Sequence, residues 1–267
     1  MSELKCLKMN GAGNAFIMIP MRQDDFLNQT TLSKFNEQII DSYDQLIFIH
    51  ESKNESFGYS ILNRDGSQAE QCGNGARCVV NFVQHFYKKE SFELYSQKIK
   101  IKYLVQNGEI GVCLGHTSEN IPAQHKAQHH ENTFQDNQDS WQYNFISVGN
   151  PHAVIYHNNI LDIDLNSLKQ SLLNTNAFPE GVNLGVYSID HPGQISLRVH
   201  ERGVGETLAC GTGAVAAASI AIKTHELENP LAVKMKGGTL RVLLDANTQE
   251  TWLFGPSEIE KELKIDI

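Results

Sequence analysis

Two cysteines of this chain sit in one short phrase written twice, Cys72-Gly-Asn-Gly-Ala76 and Cys210-Gly-Thr-Gly-Ala214. Each copy runs directly into an apolar stretch, Val79 to Val83 and Val215 to Ile220, that predicts a helix. A free thiol titrates near about 8.5, so only a few per cent is thiolate at neutral pH. The first N–H groups of a helix have no internal partners, and the helix dipole adds roughly half a positive charge there. A cysteine at such an end is a better nucleophile or base than one elsewhere, and the free N–H groups beside it suit a carboxylate. The glycines that follow let the backbone turn sharply and approach a ligand. With two such thiols on either side of one carbon, one removes a proton while the other delivers one to the opposite face. That inverts a stereocentre. The plain alternative is that both cysteines are small buried hydrophobes at helix starts. The same phrase occurring twice, each time with an apolar helix behind it, favours chemistry. Cys6, Cys78 and Cys113 lack this context and are assigned to packing.

The elements that must hold these phrases follow a repeated order. Leu4 to Ile19 predicts a strand, a turn at Asn10-Gly-Ala-Gly-Asn14 and a second strand. Thr30 to Ile40 has Leu32, Phe35 and Ile39 at helical spacing, and Leu46 to His50 and Phe57 to Asn63 suit strands. The first Cys-Gly helix is expected from about Asn74 to Tyr87, apolar on nearly every side and therefore buried. Phe92 to Leu114 alternates in strand fashion around a turn at Asn107-Gly108. The same order returns past Trp141. Strands are expected at Tyr143 to Val148 and Ala153 to Tyr156, then a helix at Asp164 to Leu173. Strands at Val182 to Tyr187 and Ile195 to Glu201 lead to the second Cys-Gly helix, Thr212 to Lys223, and strands from Leu231 to Phe254 close the half. This is an internal duplication of α+β units, with a ligand site expected where the halves meet. Between them, His116 to Ser140 is rich in His, Gln, Asn and acidic residues and predicts an exposed connection or long mobile hairpin. His125, His129 and His130 in that stretch could bind a metal, but a solvated polar loop is the favoured expectation.

A chain of 267 residues is long enough for one large or two small cores. The formal net charge of −9 argues against a nucleic-acid surface or a polybasic membrane anchor. No apolar stretch approaches the roughly 18–20 residues of a membrane span, and Met1 to Asn10 lacks the basic-then-apolar order of a signal peptide, so a cytoplasmic location is expected. The five cysteines are too scattered for a disulfide scaffold, and Cys72 and Cys78 are poorly spaced for structural zinc.

Short polar clusters punctuate the predicted strand ends. Asn63-Arg-Asp-Gly-Ser67, Glu70-Gln-Cys-Gly-Asn-Gly-Ala-Arg-Cys78, Val148-Gly-Asn-Pro-His152, Phe178-Pro-Glu-Gly-Val-Asn183 and Glu201-Arg-Gly-Val-Gly-Glu-Thr-Leu-Ala-Cys-Gly-Thr-Gly-Ala214 together resemble the diaminopimelate epimerase family, in both halves of the chain. The resemblance implies two pseudo-symmetric domains, each a mixed, mostly antiparallel, barrel-like sheet around a buried central helix. One would comprise residues 1–116 with 256–267 and the other 117–255. It implies a cofactor-independent, metal-free epimerase that interconverts LL- and meso-2,6-diaminopimelate, a small-molecule substrate, and forms a homodimer. By the same resemblance Cys72 and Cys210 are the acid/base thiols, with His152 and Glu201 tuning their pKa. Gly73, Asn74, Gly211 and Thr212 would hold the reacting α-carboxylate, and Asn63, Asn183 and Arg202 the distal carboxylate, with Glu201 near the distal ammonium. Asn14, Gln45 and Asn150 complete the expected substrate contacts.

This chain departs from the family pattern in places. Asn10 and Ala15 stand where the family usually has His and Asp, Lys236 where it has Pro, and the tail from Pro256 to Ile267 lacks the usual aromatic dimer contact. Three alternatives share the fold: proline racemases, histidine racemases and a non-catalytic amino-acid-binding protein. The first typically carry His where this chain has Asn74, the second lose the distal-end residues retained here, and the third has no need of both thiols.

Overall fold

The structure, a computed structural model, describes residues 3–21, 37, 39, 42–52, 55–64, 66–69, 72–96, 99–120, 132–136 and 139–266. The chain divides into two compact units, Met1–Val112 with Gly255–Ile267, and Cys113–Phe254. In the first unit β1 (Glu3–Gly11), β2 (Asn14–Met21), β3 (Gln45–Ser52), β4 (Ser56–Asn63) and β5 (Gln68–Ala69) precede helix α1 (Gly73–Phe86). β6 (Glu93–Ser96), β7 (Ile99–Ile101) and β8 (Tyr103–Gln106) follow, and β9 (Glu109–Gly115) leads onward. The second unit holds β10 (Thr133–Asp136), β11 (Asp139–Gln142), β12 (Asn144–Ser147), β13 (Pro151–Tyr156), α2 (Leu165–Asn174), β14 (Asn183–His191), β15 (Gln194–Glu201) and β16 (Gly205–Thr207). It continues through α3 (Gly211–His225), β17 (Leu231–Met235), β18 (Gly238–Leu244) and β19 (Thr251–Gly255), and β20 (Glu258–Asp266) belongs to the first unit again.

The duplication read from the sequence extends to strand order and direction. One path runs β20-β1-β2-β3-β4-β6-β7 with β5 beside β4, and the other contains β12-β13-β14-β15-β17-β18-β19 with β16 beside β15. In the first, β1–β2, β3–β4 and β6–β7 are antiparallel while β2–β3 and β4–β6 are parallel. In the second, β12–β13, β14–β15 and β17–β18 are antiparallel while β13–β14 and β15–β17 are parallel. Over six strands, β1-β2-β3-β4-β6-β7 and β12-β13-β14-β15-β17-β18, the two units share one topology: mixed sheets, mostly antiparallel.

The central strands read as continuous apolar runs because they are covered on both faces. Ile17, Ile19, Leu46 and Phe48 join a cluster with Cys6, Ile39, Tyr43 and Ile265. Phe16 and Ile47, which alternate with these, lie against α1, where a β-carbon on Gly75 would touch both. In the second unit Ala153, Ile155, Leu184 and Val186 pack under α2 with Leu165, Leu168 and Leu172. Val199, at the end of β15, meets the mouth of α3 at Gly213. Among the described residues no helix is long and apolar enough to cross a membrane.

Two expectations need adjustment, and two others fall outside the described residues. Of the two readings of the polar stretch 116–140 the hairpin is found, as β10 and β11, but it is anchored: Phe134 is buried with Tyr143 in the α2 cluster, and its cross-strand partner Trp141 packs partly buried against the same cluster. Two well-placed aromatics outweigh a polar composition, because burial of a ring fixes the strand that carries it. His125, His129 and His130 lie outside the described residues, as does the predicted helix at 30–40 apart from Glu37 and Ile39. Helix α1 is not apolar all round: it buries Asn74 and Arg77 and exposes His85. The helix apolar on every side is α3, whose buried face includes Ala214, Val215, Ala216, Ala217, Ala218, Ile220 and Ala221.

Candidate active site

Both cysteines of the repeated phrase are helix N-caps. Cys72 has extended backbone angles (φ −124°, ψ 110°), and its Sγ accepts a hydrogen bond from the Gly75 N–H at 3.3 Å. Cys210 has nearly the same angles (φ −138°, ψ 112°), and its Sγ accepts from the Gly213 N–H at 3.4 Å. Each carbonyl takes the first intrahelical bond, from Ala76 at 2.8 Å and from Ala214 at 2.9 Å. A cysteine cap therefore occupies the place where Ser or Asp usually sits, and its sulfur lies beside the first-turn N–H groups. Gly73 and Asn74 in α1, and Gly211 and Thr212 in α3, are the residues whose N–H groups a helix leaves without an internal acceptor. This is the geometry that grips a carboxylate.

Strand register brings the amide side chains of the first unit to one sheet end. Phe16 faces Gln45 across the parallel β2–β3 pair, and Gln45 faces Asn63 across the antiparallel β3–β4 pair. Asn14, at the start of β2, therefore falls on the same end as Gln45 and Asn63. Gln45 donates to Asn63 Oδ1 at 2.9 Å, and Asn63 donates to the Ser67 hydroxyl at 3.0 Å. The row meets the helix mouth where Asn74 Nδ2 donates to Asn14 Oδ1 at 2.6 Å. Asp44 secures the far side by accepting from the Ala15 N–H at 2.9 Å. Asn10 closes the preceding turn by accepting from the Gly13 N–H at 2.8 Å.

The second unit repeats the plan with different chemistry. His152 faces Asn183 across the parallel β13–β14 pair, which puts Asn150 where Asn14 sits in the first unit and Asn183 where Gln45 sits. Asn150 donates to the Thr212 hydroxyl at 3.4 Å, the counterpart of the Asn74–Asn14 link. His152 Nε2 lies 3.0 Å from Asn150 Oδ1. Burial, assisted by the Lys169 charge, lowers the His152 pKa to about 3, so its imidazole is neutral at physiological pH and orients Asn150 as a hydrogen-bond donor. Glu201, at the end of β15, accepts from Thr207 at 2.7 Å. Burial and then the Glu201 carboxylate, which also accepts from the thiol, push the Cys210 thiol up, while the Thr212 hydroxyl and Gly213 N–H pull the other way. Arg202 donates its backbone N–H to Asn183 Oδ1 at 2.8 Å and Nη1 to the Glu180 carbonyl at 3.2 Å. Its aliphatic stem crosses Gly181, where φ is +78° and a β-carbon would come within 3.0 Å of Arg202 Cδ. Gly181 is required there on both counts.

Within each unit the residues singled out from sequence are thus gathered at one end of the sheet beside one cysteine-capped helix. Cys6 and Cys78, assigned to packing, are buried, and burial raises both thiols to about 12. Sequence reasoning gave no role to Lys169 or Arg77, and named Asp44 only within a polar cluster. Lys169 is buried in α2 and donates to the Val182 carbonyl, next to Asn183, and burial lowers its pKa to about 8, with Arg202 adding to the effect. Arg77 lies in α1 with no accessible surface. A lone Arg among the apolar residues of a predicted buried helix was the available signal. Among the described residues there is no group of three or more His, Cys, Asp or Glu placed to hold a metal ion.

Comparison with known proteins finds relatives along nearly the whole chain. The diaminopimelate epimerase family model matches residues 6–118 and 144–259. The chain is 35% identical over 279 residues to a diaminopimelate epimerase of Nitrosomonas europaea, covering 99% of this chain and 100% of that one. It is 36% identical over 265 residues to one from Legionella pneumophila strain Corby, covering 95% and 96% respectively. Solved structures of similar fold include a Bacillus anthracis phenazine biosynthesis protein of the PhzF family, with TM-score 0.69, 14% identity and 100% of both chains covered. Another is a hydroxyproline epimerase from Agrobacterium vitis, with TM-score 0.68, 10% identity, and 98% of this chain and 92% of that one covered. The family model spans both cysteine-capped helices and the amide-bearing strand ends of both units, and the chain belongs to the diaminopimelate epimerase family.

Proposed function

We propose that this protein interconverts LL- and meso-2,6-diaminopimelate by proton transfer at one α-carbon, with Cys72 and Cys210 as the two acid/base groups. The observation that carries the proposal is the pair of cysteine N-caps of matching geometry, one in each unit. A thiolate takes the α-hydrogen, and the electron pair left on carbon delocalises into the α-carboxylate. The helix-mouth N–H groups at Gly73, Asn74, Gly211 and Thr212 stabilise that charge where it develops. The opposite thiol then gives its proton to the other face. No redox step occurs, and the proton count is unchanged.

The distal end of the substrate distinguishes this reading from a proline- or histidine-type racemase. Asn63, Asn183 and Arg202 supply donors for a second carboxylate, and Glu201 an acceptor for the second ammonium. A site built to hydrogen-bond such a group discriminates by up to ~10⁴–10⁵ against analogues that lack it. The family relationship further supports a cofactor-independent enzyme, a homodimer and a cytoplasmic location.

The test is incubation of LL-diaminopimelate in D₂O without pyridoxal phosphate. Solvent deuterium should appear at the α-carbon together with meso product. Exchange with proline or histidine but not with diaminopimelate would replace the substrate assignment. Binding of diaminopimelate without any exchange would make the chain a binding protein.

A further inference from the structure

The two half-sites are not electrostatically equal. Five residues after Cys72 the chain carries Arg77, and five residues after Cys210 it carries Val215. Helical side chains tilt toward the N-terminus, so the residue at this position reaches back over the helix mouth. Arg77 does so. Its Nη2 donates to Asn74 Oδ1 at 3.0 Å and its Nη1 approaches the Gly73 carbonyl at 3.4 Å, both within the Cys-Gly phrase. Its Nε is buried with no partner among the described residues, and the side chain has no accessible surface. These hydrogen-bond acceptors are neutral oxygens. A buried guanidinium whose hydrogen bonds go to neutral oxygens depends on nearby negative charge for compensation.

We propose that Arg77 is a positioning residue for the first half-site: it locks the Asn74 amide and provides the positive charge that favours the thiolate at Cys72. Val215 provides nothing comparable to Cys210, which faces the Glu201 carboxylate instead. The two thiols are therefore unequal before substrate arrives, with Cys72 the more acidic. This rests on the assignment of Cys72 as a catalytic thiol. The asymmetry agrees with the electrostatics of the buried groups. Burial lowers the Arg77 pKa, and the Cys78 and Cys72 thiolates and the Glu109 carboxylate act against that. Other titratable groups near the pair are Tyr59 on β4, which feels the charge on Cys72, and Glu258 on β20, which acts on Cys78.

The experiment is site-resolved alkylation by iodoacetamide across pH, read by mass spectrometry of the intact protein's peptides. In the wild type, Cys72 should titrate below the ordinary thiol value of about 8.5 and below Cys210. In Arg77→Met the Cys72 midpoint should rise, and each unit of rise lowers its thiolate fraction at neutral pH by about tenfold. Arg77→Lys should restore most of the acidity. The acid limb of kcat/KM should move to higher pH in Arg77→Met, with kcat reduced more than KM is changed. A Cys72 midpoint in the wild type at or above that of Cys210 overturns the proposal without any variant. An unchanged midpoint in a folded Arg77→Met protein overturns it too. Alkylation does not depend on turnover, so loss of diaminopimelate activity as a function would leave this result standing, and the reverse.

Discussion

Asn74 Nδ2 donates a hydrogen bond to Asn14 Oδ1 across 2.6 Å, joining the first turn of α1 to the first residue of β2. The second unit makes the corresponding link with its direction reversed, from Asn150 just before β13 to the Thr212 hydroxyl in α3, at 3.4 Å. In both units one side-chain bond ties a helix mouth to the sheet end that carries the other polar groups. Asn74 is almost wholly buried, so this bond is hard to replace with water. Asn14→Ala should leave a buried amide donor unsatisfied and cost about 1–3 kcal/mol of stability. It should also raise KM for diaminopimelate. Asn150→Ala should cost a similar amount, because it removes the Oδ1 partner of the buried His152 Nε2 as well as the donor to Thr212. Thermal melts of both variants beside steady-state kinetics check both losses.

The cysteines serve as caps and, in the proposed mechanism, as acid/base groups, and the two roles separate by substitution. Serine keeps a capping oxygen, so Cys72→Ser and Cys210→Ser should change stability by less than about 1 kcal/mol. A hydroxyl is far too weak an acid to replace either thiol. Epimerisation should fall by ~10²–10⁴-fold or more in each variant. Alanine should match serine in lost activity and add a cap penalty of about 1 kcal/mol. Full activity in either serine variant would remove that thiol from the mechanism.

Arg202 is held by its backbone N–H on Asn183 and by its stem across Gly181. Arg202→Lys keeps the charge but loses the planar fork that binds both oxygens of a carboxylate. It should cost at least about tenfold in kcat/KM, and Arg202→Ala substantially more, with little change in melting temperature because the side chain is exposed. Gly181→Ala should resemble Arg202→Lys in kinetics and also destabilise, since its positive φ strains any L side chain. Near-normal kcat/KM in Arg202→Ala would take that residue out of substrate recognition.

Acid should weaken the protein in two ranges that overlap in part. The folded pKa of His152 is about 3, below the ordinary 6.5, so the unfolded chain binds a proton first as pH falls. Its contribution is fully present above about 6.5 and is lost as pH drops toward 3, reaching about 2 kcal/mol by pH 5. The folded pKa of Glu206 is about 2, below the ordinary 4.5, chiefly through its hydrogen bonds from Arg198, with Lys236 adding to them. The Arg198 fork meets both Glu206 oxygens at 2.9 Å, and Lys236 lies 2.8 Å away. That contribution is present above about 4.5 and is lost toward pH 2. It is worth about 1 kcal/mol, because water reaches the pair. Urea denaturation across pH should show both slopes, and Glu206→Gln should flatten only the lower one.

What the sequence determined by itself was everything written in local pattern or exact repetition. The doubled Cys-Gly phrase located both helix starts, and the order of apolar runs gave the duplicated α+β plan. The polar clusters at strand ends, through their resemblance to the diaminopimelate epimerase family, marked Asn14, Gln45, Asn63, Asn150, Asn183 and Arg202. These signals survive in one dimension because caps, turns and alternating strands are specified by residues only a few positions apart. Tertiary structure alone decided which groups meet across long separations. Asn14 and Asn74 become partners because β2 and α1 pack at one sheet end. His152 is neutral because the fold buries it. Phe134 and Trp141 anchor a hairpin in a polar segment because a core is there to receive the rings. Arg77 shows the difference most clearly. Its position five residues after Cys72 is plain in the sequence, but its function depends on complete burial, and burial is a property of packing.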